Sequence, residues 1–381
     1  MCEKFNPFCR KKTMKKIRVG IIFGGKSAEH EVSLQSARNI LDSIDKKKYE
    51  TVLLGVDKSG TWHVCNSKNW LEHEDNPSLI SFKKSKVQVT LIPDGAEGTR
   101  IINIHTGKSL EPLDVVFPII HGPYGEDGSL QGLLKIANIP FVGAGVLGSA
   151  VGMDKDVMKR LLRDAGLPIG RFITIHSDQA KRIDFDTIAQ DLGNPFFIKP
   201  ANLGSSVGIH KVSNAKELKH ALKDAFHYDT KVLLEEYIPG REIECAVLGN
   251  GLPVTSVLGE VVVSDKQDFY SYDAKYIDED GAQLVLPVEL PADIKKEIQR
   301  LAAETFNVLN CEGMGRVDIF LQKNGRIVIN EINTAPGFTN NSMYPKLWEA
   351  TGVSFAELID KLIDIAIQRH EREQELKTWH D

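Results

Sequence analysis

The sequence predicts a parallel α/β unit at the front of the chain, with α+β units making up the rest. Three features point there. Apolar runs such as "IRVGIIF" at 17–23 lack polar alternation, as strands buried on both faces do. Glycine breaks follow them and helical patterns start soon after, the strand–turn–helix rhythm of a parallel sheet. Beyond about residue 150 strand-like runs and helical stretches mix as in an α+β unit, and a paired run near the C-terminus reads as a hairpin. The 381 residues leave room for two or three domains at about 100–200 residues each.

In order, the first strand breaks at Gly24–Gly25, and Ser27 is expected to cap a helix carrying Val32, Leu34, Ala37, Ile40 and Leu41. "ETVLLGV" and "LDVVFPIIHG" read as further buried strands, "SLQGLLKIANIP" as a helix and "FVGAG" as a short strand. A helix over "DKDVMKRLLRDAG" stops at Gly166 and Pro168. Next come "RFITI", a helical stretch at 184–192, "PFFIKP", the glycine-rich "NLGSSVG", "IHKV", a helix at 214–227 and "KVLLEEYI". Pro239–Gly240 turns the chain into "REIECAVLG". The polar stretch 263–283 is a long loop, which in a compact domain points to function or disorder. Ser354 and Glu357 have capping-box spacing before a helix striped with Phe355, Leu358, Ile359, Leu362 and Ile363.

The pair "GRVDIFLQKNGRIVINEIN" carries polar groups inside strand-like runs. With Asn324–Gly325 as a two-residue turn, Lys323 faces Arg326, Asp318 faces Glu331 and Arg316 faces Asn333. All four side chains then project from one face. Two opposed carboxylates repel unless a cation lies between them. Asp, Glu and Asn oxygens suit Mg²⁺ shared with substrate phosphates; the alternative is a solvent-facing strand pair with Arg316 balancing the acids.

Other stretches point toward phosphate. Lys199 ends a strand before Gly204, Ser205, Ser206 and Gly208, where backbone N–H groups and hydroxyls can meet phosphate oxygens. It is not a Walker A loop, since no G-K-[ST] follows, and an ordinary hairpin turn is the competing reading. Glu29 opens a helix, either to complement its dipole or to hold an ammonium group. His121 stands at a strand's carboxyl end, where α/β sites commonly lie, with a structural role as its alternative. The dinucleotide fingerprint is absent.

Composition narrows the classes. A net charge of −5 gives no electrostatic footprint for nucleic acid. No apolar run approaches the ~18–20 residues of a membrane span. The five cysteines are widely spaced without a CxxC pair, which suits reduced thiols and a cytoplasmic chain. The basic opening lacks a signal-peptide core and reads as a disordered tail, with Met14 an alternative start.

"FGGKSAEHEVSLQSA", "HGPYGEDGSLQG", "IKPANLGSSVG", "YDAKYIDEDG", "GMGRVDIFL" and "NEINTAPGFTNNSMYP" stand in the order seen in D-alanine–D-alanine ligases of the ATP-grasp superfamily. The chain resembles that family from about residue 14 to 370. The resemblance implies a tail at 1–13, an N-terminal pre-ATP-grasp domain at 14–153, a central ATP-grasp subdomain at 154–240 and a C-terminal one at 241–381, with 263–283 as a lid. It implies ATP-driven joining of two D-alanines through an acyl phosphate, for peptidoglycan, in a homodimer without nucleic-acid or membrane partners.

By the same resemblance, Asp318, Glu331 and Asn333 would hold two Mg²⁺ ions, with Mn²⁺ an alternative metal. Lys155, Lys199, Lys275, Ser205 and Ser206 would meet ATP phosphates, and Glu235, Glu236, Ile238 and Glu242 the adenine and ribose. Glu236 replaces a lysine found in some members, so its contact is expected from the backbone. Arg316 and the Gly337 N–H would stabilise the oxyanion, Glu29 the first ammonium and Ser342 the second carboxylate. Ser205 and Tyr276 would bond with Glu29 to close the site, beside His121. Relatives that make D-alanyl-D-lactate generally carry another residue at the position of Tyr276, so the resemblance favours D-alanine as second substrate; a D-alanine–D-lactate or D-alanine–D-serine ligase of the same fold is the alternative. A non-catalytic nucleotide-binding subunit and an ATP-independent binding protein are the rivals from other classes.

Overall fold

A computed structural model describes residues 15–74, 76, 79–93, 99–263 and 282–377. The expected tail at 1–13, Met14 and nearly all of the loop 263–283, with Lys275 and Tyr276, lie outside the described residues.

The first sheet is built on β1 (Ile17–Gly24), whose Val19, Ile21, Ile22 and Phe23 are fully buried. α1 (His30–Ser43) follows, then β2 (Tyr49–Val56), parallel to β1, and β3 (Trp62–Cys65). β3 runs antiparallel to β2, so the sheet is not parallel throughout. The cause is local: Asp57 accepts from the N–H groups of Ser59 and Thr61, making a tight reversal, and short reversals join antiparallel strands. Two small ribbons follow, β4 (Leu71–Glu72) with β5 (Ser81–Phe82) and β6 (Val89–Pro93) with β7 (Thr99–Asn103). β8 (Val115–Pro118) returns parallel on the other side of β1 and leads to α2 (Ser129–Ile136).

Three local expectations need correction. Ser27 is not the helix cap; Glu29 is, and the Ser27 hydroxyl accepts the Glu29 N–H at 3.0 Å, closing one more turn before the helix starts. "FVGAG" forms only an isolated bridge from Phe141 to Val116, because Gly143, with φ 95°, turns the chain out of extended geometry. Residues 146–153 form an unexpected helix, α3 (Val146–Met153). Its two glycines weaken the helical signal in sequence, yet a Cβ at Gly148 would stand 2.5 Å from the Asn310 carbonyl. Packing requires the residue that propensity penalises.

The middle sheet follows α4 (Lys155–Asp164), whose N-cap Asp154 accepts two backbone N–H bonds. It contains β9 (Phe172–His176), β10 (Phe196–Pro200), β11 (His210–Val212) and β12 (Lys231–Glu236), in order β11-β10-β12-β9 with every neighbour antiparallel. α5 (Phe185–Leu192) and α6 (Ala215–Ala225) bury Ile188, Leu192, Leu218 and Leu222 against one face, leaving the other face for the site.

The third sheet has the order β15-β14-β13-β16-β17: β13 (Arg241–Gly249), β14 (Val254–Val263), β15 (Ala282–Val285), β16 (Gly313–Leu321) and β17 (Ile327–Asn333). α7 (Ala292–Val308) packs Ile298, Leu301 and Phe306 on it. α8 (Met343–Ala350) and α9 (Phe355–Gln374) carry its core into that of the first sheet, where Tyr344, Leu358 and Leu362 join Phe117 and Phe338. The Ser354–Glu357 capping box is present at the start of α9.

Candidate active site

The hairpin of β16 and β17 is the first component of the site. Asp318 lies opposite Glu331 and Arg316 opposite Asn333, as the sequence register predicts, but the turn is not the two-residue one. Gln322 accepts the Gly325 N–H and donates its own to Arg326, so Lys323, Asn324 and Gly325 form the loop, Gly325 with φ 84°. This slips the register by one. A bulge between Asp318 and Ile319 in the ladder, which leaves Asn330 without an opposed partner, slips it back. The bulge also aims Asn330 into the site, where its Oδ1 accepts from Lys199 at 3.3 Å.

Between this hairpin and the bare face of the middle sheet lies a cleft of about 410 Å³, within the usual range for a small-molecule site. Lys199 and Lys155 stand in it, with Lys159, one helical turn beyond Lys155, buried beside them. Lys199 is 2.9 Å from Glu235 and Lys159 is 3.5 Å from the same carboxylate. Burial works against charge on all three. At Lys199 the negative charges of Glu235, Glu331 and Glu242 outweigh burial and raise its pKa. At Lys159 burial wins, helped by repulsion from Lys199, and the pKa falls. Burial would raise Glu235, but the two lysines bring it below the usual carboxylate range.

Glu235 therefore directs its carboxylate to lysines, while Glu236 accepts from Arg171 N–H and Nε at 3.0 and 2.8 Å. Ile238 and Glu242 line the same cleft. Ser205 and Ser206 have φ of 51° and 59°, a strained conformation for residues with a Cβ and one that concentrates at ligand clamps.

A smaller cavity of about 100 Å³ adjoins the cleft, and Lys155, Ser205, Glu244 and Glu331 line both. Arg316 is held there by Asp318, at 2.7 Å to each carboxylate oxygen, and by Glu244 at 3.0 Å. Glu29, His121, Gly337 and Ser342 line the rest. The Ser205 hydroxyl donates to Glu29, joining the glycine-rich loop to the start of α1. Ser342 Oγ accepts the Thr339 N–H at 2.9 Å. His121 is buried, its Nδ1 3.0 Å from the Ala335 carbonyl; burial would lower its pKa, but Glu126 and Glu29 raise it.

Asp318, Glu331 and Asn333 offer hard oxygen donors on one face, and Arg316 and Lys155, the latter 3.4 Å from Glu331, balance the carboxylates. Among the described residues no group of three His, Cys, Asp or Glu is placed to hold a metal. Two carboxylates and an amide suit Mg²⁺ that takes its remaining ligands from phosphate and water.

Lys159, Glu244 and Asn330 were not singled out in the sequence. Lys159 had a signal, lying four residues after Lys155 on one helix face, and Glu244 had one in its two-residue spacing from Glu242 on a strand. Asn330 had none, since a bulge decides where it points.

Two antiparallel sheets closing on a nucleotide-sized cleft, with lysines at one end and a small-substrate cavity beyond, make this an enzyme of the ATP-grasp ligase class. Residues 18–144 match the family described as D-ala D-ala ligase N-terminus, and residues 161–364 the D-ala D-ala ligase C-terminus. The chain belongs to the D-alanine–D-alanine ligase family. The D-alanine–D-alanine ligase of Oceanobacillus iheyensis is 57% identical over 96% of this chain and 99% of its own. Among solved structures, the D-alanine–D-alanine ligase from Coxiella burnetii superposes with TM-score 0.78 at 36% identity, covering 94% of this chain and 98% of that one. A D-Ala:D-Ser ligase from Enterococcus faecalis gives 0.79 at 35%, covering 92% and 100%.

Proposed function

We propose that the protein uses ATP to join two D-alanine molecules into D-alanyl-D-alanine, a precursor of peptidoglycan. The observation that carries this reading is the small cavity, with Arg316, Gly337 and Glu29 on its walls, opening onto a cleft lined by Lys155 and Lys199.

In this mechanism Lys155 and Lys199 bind the ATP phosphates, and Ser205 and Ser206 cover them. The Glu236–Ile238 backbone and Glu242 hold the adenine and ribose. Glu235 stands at the same adenine and ribose end and pairs with Lys199 and Lys159. Glu29 orients the first D-alanine through its ammonium, with His121 nearby. Its carboxylate oxygen attacks the γ-phosphorus, the bond to ADP breaks, and an acyl phosphate forms. The second D-alanine, held through its carboxylate by Ser342, attacks the acyl carbon with its neutral amine. Arg316 and the Gly337 N–H stabilise the tetrahedral oxyanion; phosphate leaves and the amine loses its proton. Such preorganised donors contribute most where water is excluded. Asp318, Glu331 and Asn333 would hold two Mg²⁺ ions, or Mn²⁺ in their place, which when bound neutralise phosphate charge.

Divisions at 14–153, 154–240 and 241–381 belong to the same reading. So do a cytoplasmic location, where ATP is supplied, and a homodimer without nucleic-acid or membrane partners. No helix among the described residues is long and apolar enough to cross a membrane. Exposed Ile136 on α2 and Leu147 on α3 offer apolar surface that a second copy would cover.

The test is phosphate release with ATP, Mg²⁺ and D-alanine alone, then with D-lactate or D-serine added, with product masses. Dipeptide from D-alanine alone supports the reading. Turnover only with a mixed pair reassigns the second substrate, and no turnover with any pair sinks the ligase reading.

A further inference from the structure

The loop after β17 carries Gly337 and is clamped at almost every neighbouring peptide group. The Ala335 N–H donates to Asn333 Oδ1 at 3.1 Å, and the Ala335 carbonyl lies 3.0 Å from His121 Nδ1. The Phe338 N–H donates to Ser36 Oγ at 3.1 Å, and the Phe338 carbonyl accepts from Asn39 Nδ2 at 2.9 Å. Among the described residues the Gly337 N–H has no protein acceptor, and Gly337 lines the small cavity.

Ser36 and Asn39 lie three residues apart on α1, hence on one helix face. Ser36 is fully buried and the Phe338 ring is too, meeting Phe117 and Phe355 edge-on at 5.7 and 5.8 Å. A buried polar group needs a partner, and for Ser36 that partner is a peptide group from the distant end of the chain. Ser36 Oγ also lies 3.3 Å from His121 Nε2. With Nδ1 facing the Ala335 carbonyl, one chain of polar contacts runs from Ala335 through His121 and Ser36 to Phe338.

We propose that Ser36 and Asn39 are positioning residues for the oxyanion donor: by gripping both polar groups of Phe338 they hold the preceding Gly337 N–H aimed into the cavity before substrate arrives. The inference rests on the reading of Gly337 as an oxyanion donor. Its physical basis is that a donor stabilises developing charge most when no reorganisation is needed at the moment of reaction. Neither Ser36 nor Asn39 lines the cavity, so neither is expected to contact substrate.

The experiment compares full-length wild type with Ser36→Ala, Asn39→Leu and, as control on the outer side of α1, Asp42→Asn. Turnover, KM values, thermal midpoints and affinity for a phosphinate dipeptide analogue, whose tetrahedral phosphorus stands in for the attacked carbon, are measured for each. The expected result is a fall in kcat of about 10–100-fold in both positioning variants. KM for ATP and D-alanine should stay near wild type, analogue affinity should fall in parallel with kcat, and Asp42→Asn should be unchanged. If Ser36→Ala does not fold, the half-buried Asn39 carries the test. Unchanged kcat and analogue affinity in Asn39→Leu, or a change confined to KM, overturns the proposal. Wild type that makes no dipeptide instead overturns the functional reading on which the proposal rests, a result separable from any variant's behaviour.

Discussion

Lys199 and Lys159 share the buried carboxylate of Glu235, at 2.9 and 3.5 Å from its two oxygens. On the proposed reading Lys199 can turn toward an incoming phosphate while Lys159 continues to balance the acid. Glu235→Gln removes the nearest counter-charge of two buried lysines, and breaking such a pair typically costs about 3–5 kcal/mol. The folded-state pKa of Glu235 lies below its ordinary value. Its contribution is therefore present above the unfolded carboxylate pKa, about 4.3, and is lost as pH falls through the folded one. Thermal midpoints of wild type and Glu235→Gln should differ most at neutral pH, begin to approach each other below about pH 4.3, and meet only below the lower folded-state pKa. A gap that persists at low pH would show that the loss is not ionic.

Arg316 spends its fork on Asp318 and Glu244. Lysine keeps the charge but cannot reproduce that planar grip. Arg316→Lys should lower kcat by about 10²–10³-fold with the fold intact, the usual loss for one oxyanion donor. Steady-state kinetics beside a thermal melt checks this, and wild-type kcat would remove Arg316 from the chemistry.

Glu331 and Asp318 face each other on one surface of the hairpin. Glu331→Gln should raise the Mg²⁺ concentration needed for half-maximal turnover by about tenfold or more, as losses around metal sites do. Titration of activity with Mg²⁺ at fixed ATP reads this directly. An unshifted titration would leave Glu331 as an ion-pair partner of Lys155 and not a metal ligand.

Glu29 receives the Ser205 hydroxyl and lines the small cavity. Glu29→Gln removes a charged acceptor from an ammonium, an interaction that contributes about 1.5–3 kcal/mol. KM for D-alanine should rise about tenfold or more by that measure, with KM for ATP little changed. A change seen only for ATP would assign Glu29 to the loop alone.

Arg369 on α9 is buried, donates to the carbonyls of Gly143 and Phe141 at 2.6 and 2.7 Å and stacks 4.5 Å over the Phe141 ring. It fastens the last helix to the first sheet. Arg369→Met should destabilise the chain by about 2–4 kcal/mol, from two unpaired carbonyls and a lost cation–π contact. Denaturant unfolding measures it, and a loss below ~1 kcal/mol would mean that the carbonyls find water.

Much of the fold was legible because local rules and global packing agree. β1 reads as buried on both faces since no residue from Val19 to Phe23 requires water, and the Ser354–Glu357 box marks the start of α9 in four residues. Where they disagree, the sequence misleads. The glycines of α3 argue against a helix, and only the Asn310 backbone pressing on Gly148 explains why they are there. Asp57 reverses β2 into β3 through bonds to its own loop, a feature that apolar periodicity cannot register.

The hairpin marks the division most clearly. The sequence by itself determined that Arg316, Asp318, Glu331 and Asn333 share a face, because strand alternation and a nearby turn constrain both arms. It could not determine that a three-residue loop and a bulge at Asn330 cancel to give that register. Tertiary structure alone decided that Glu244 grips Arg316, that Lys159 stands behind Lys199, and that Ser36, some 300 residues earlier in the chain, holds Phe338. These are contacts between segments far apart along the chain, and local periodicity carries no information about which distant backbone a buried polar group will meet.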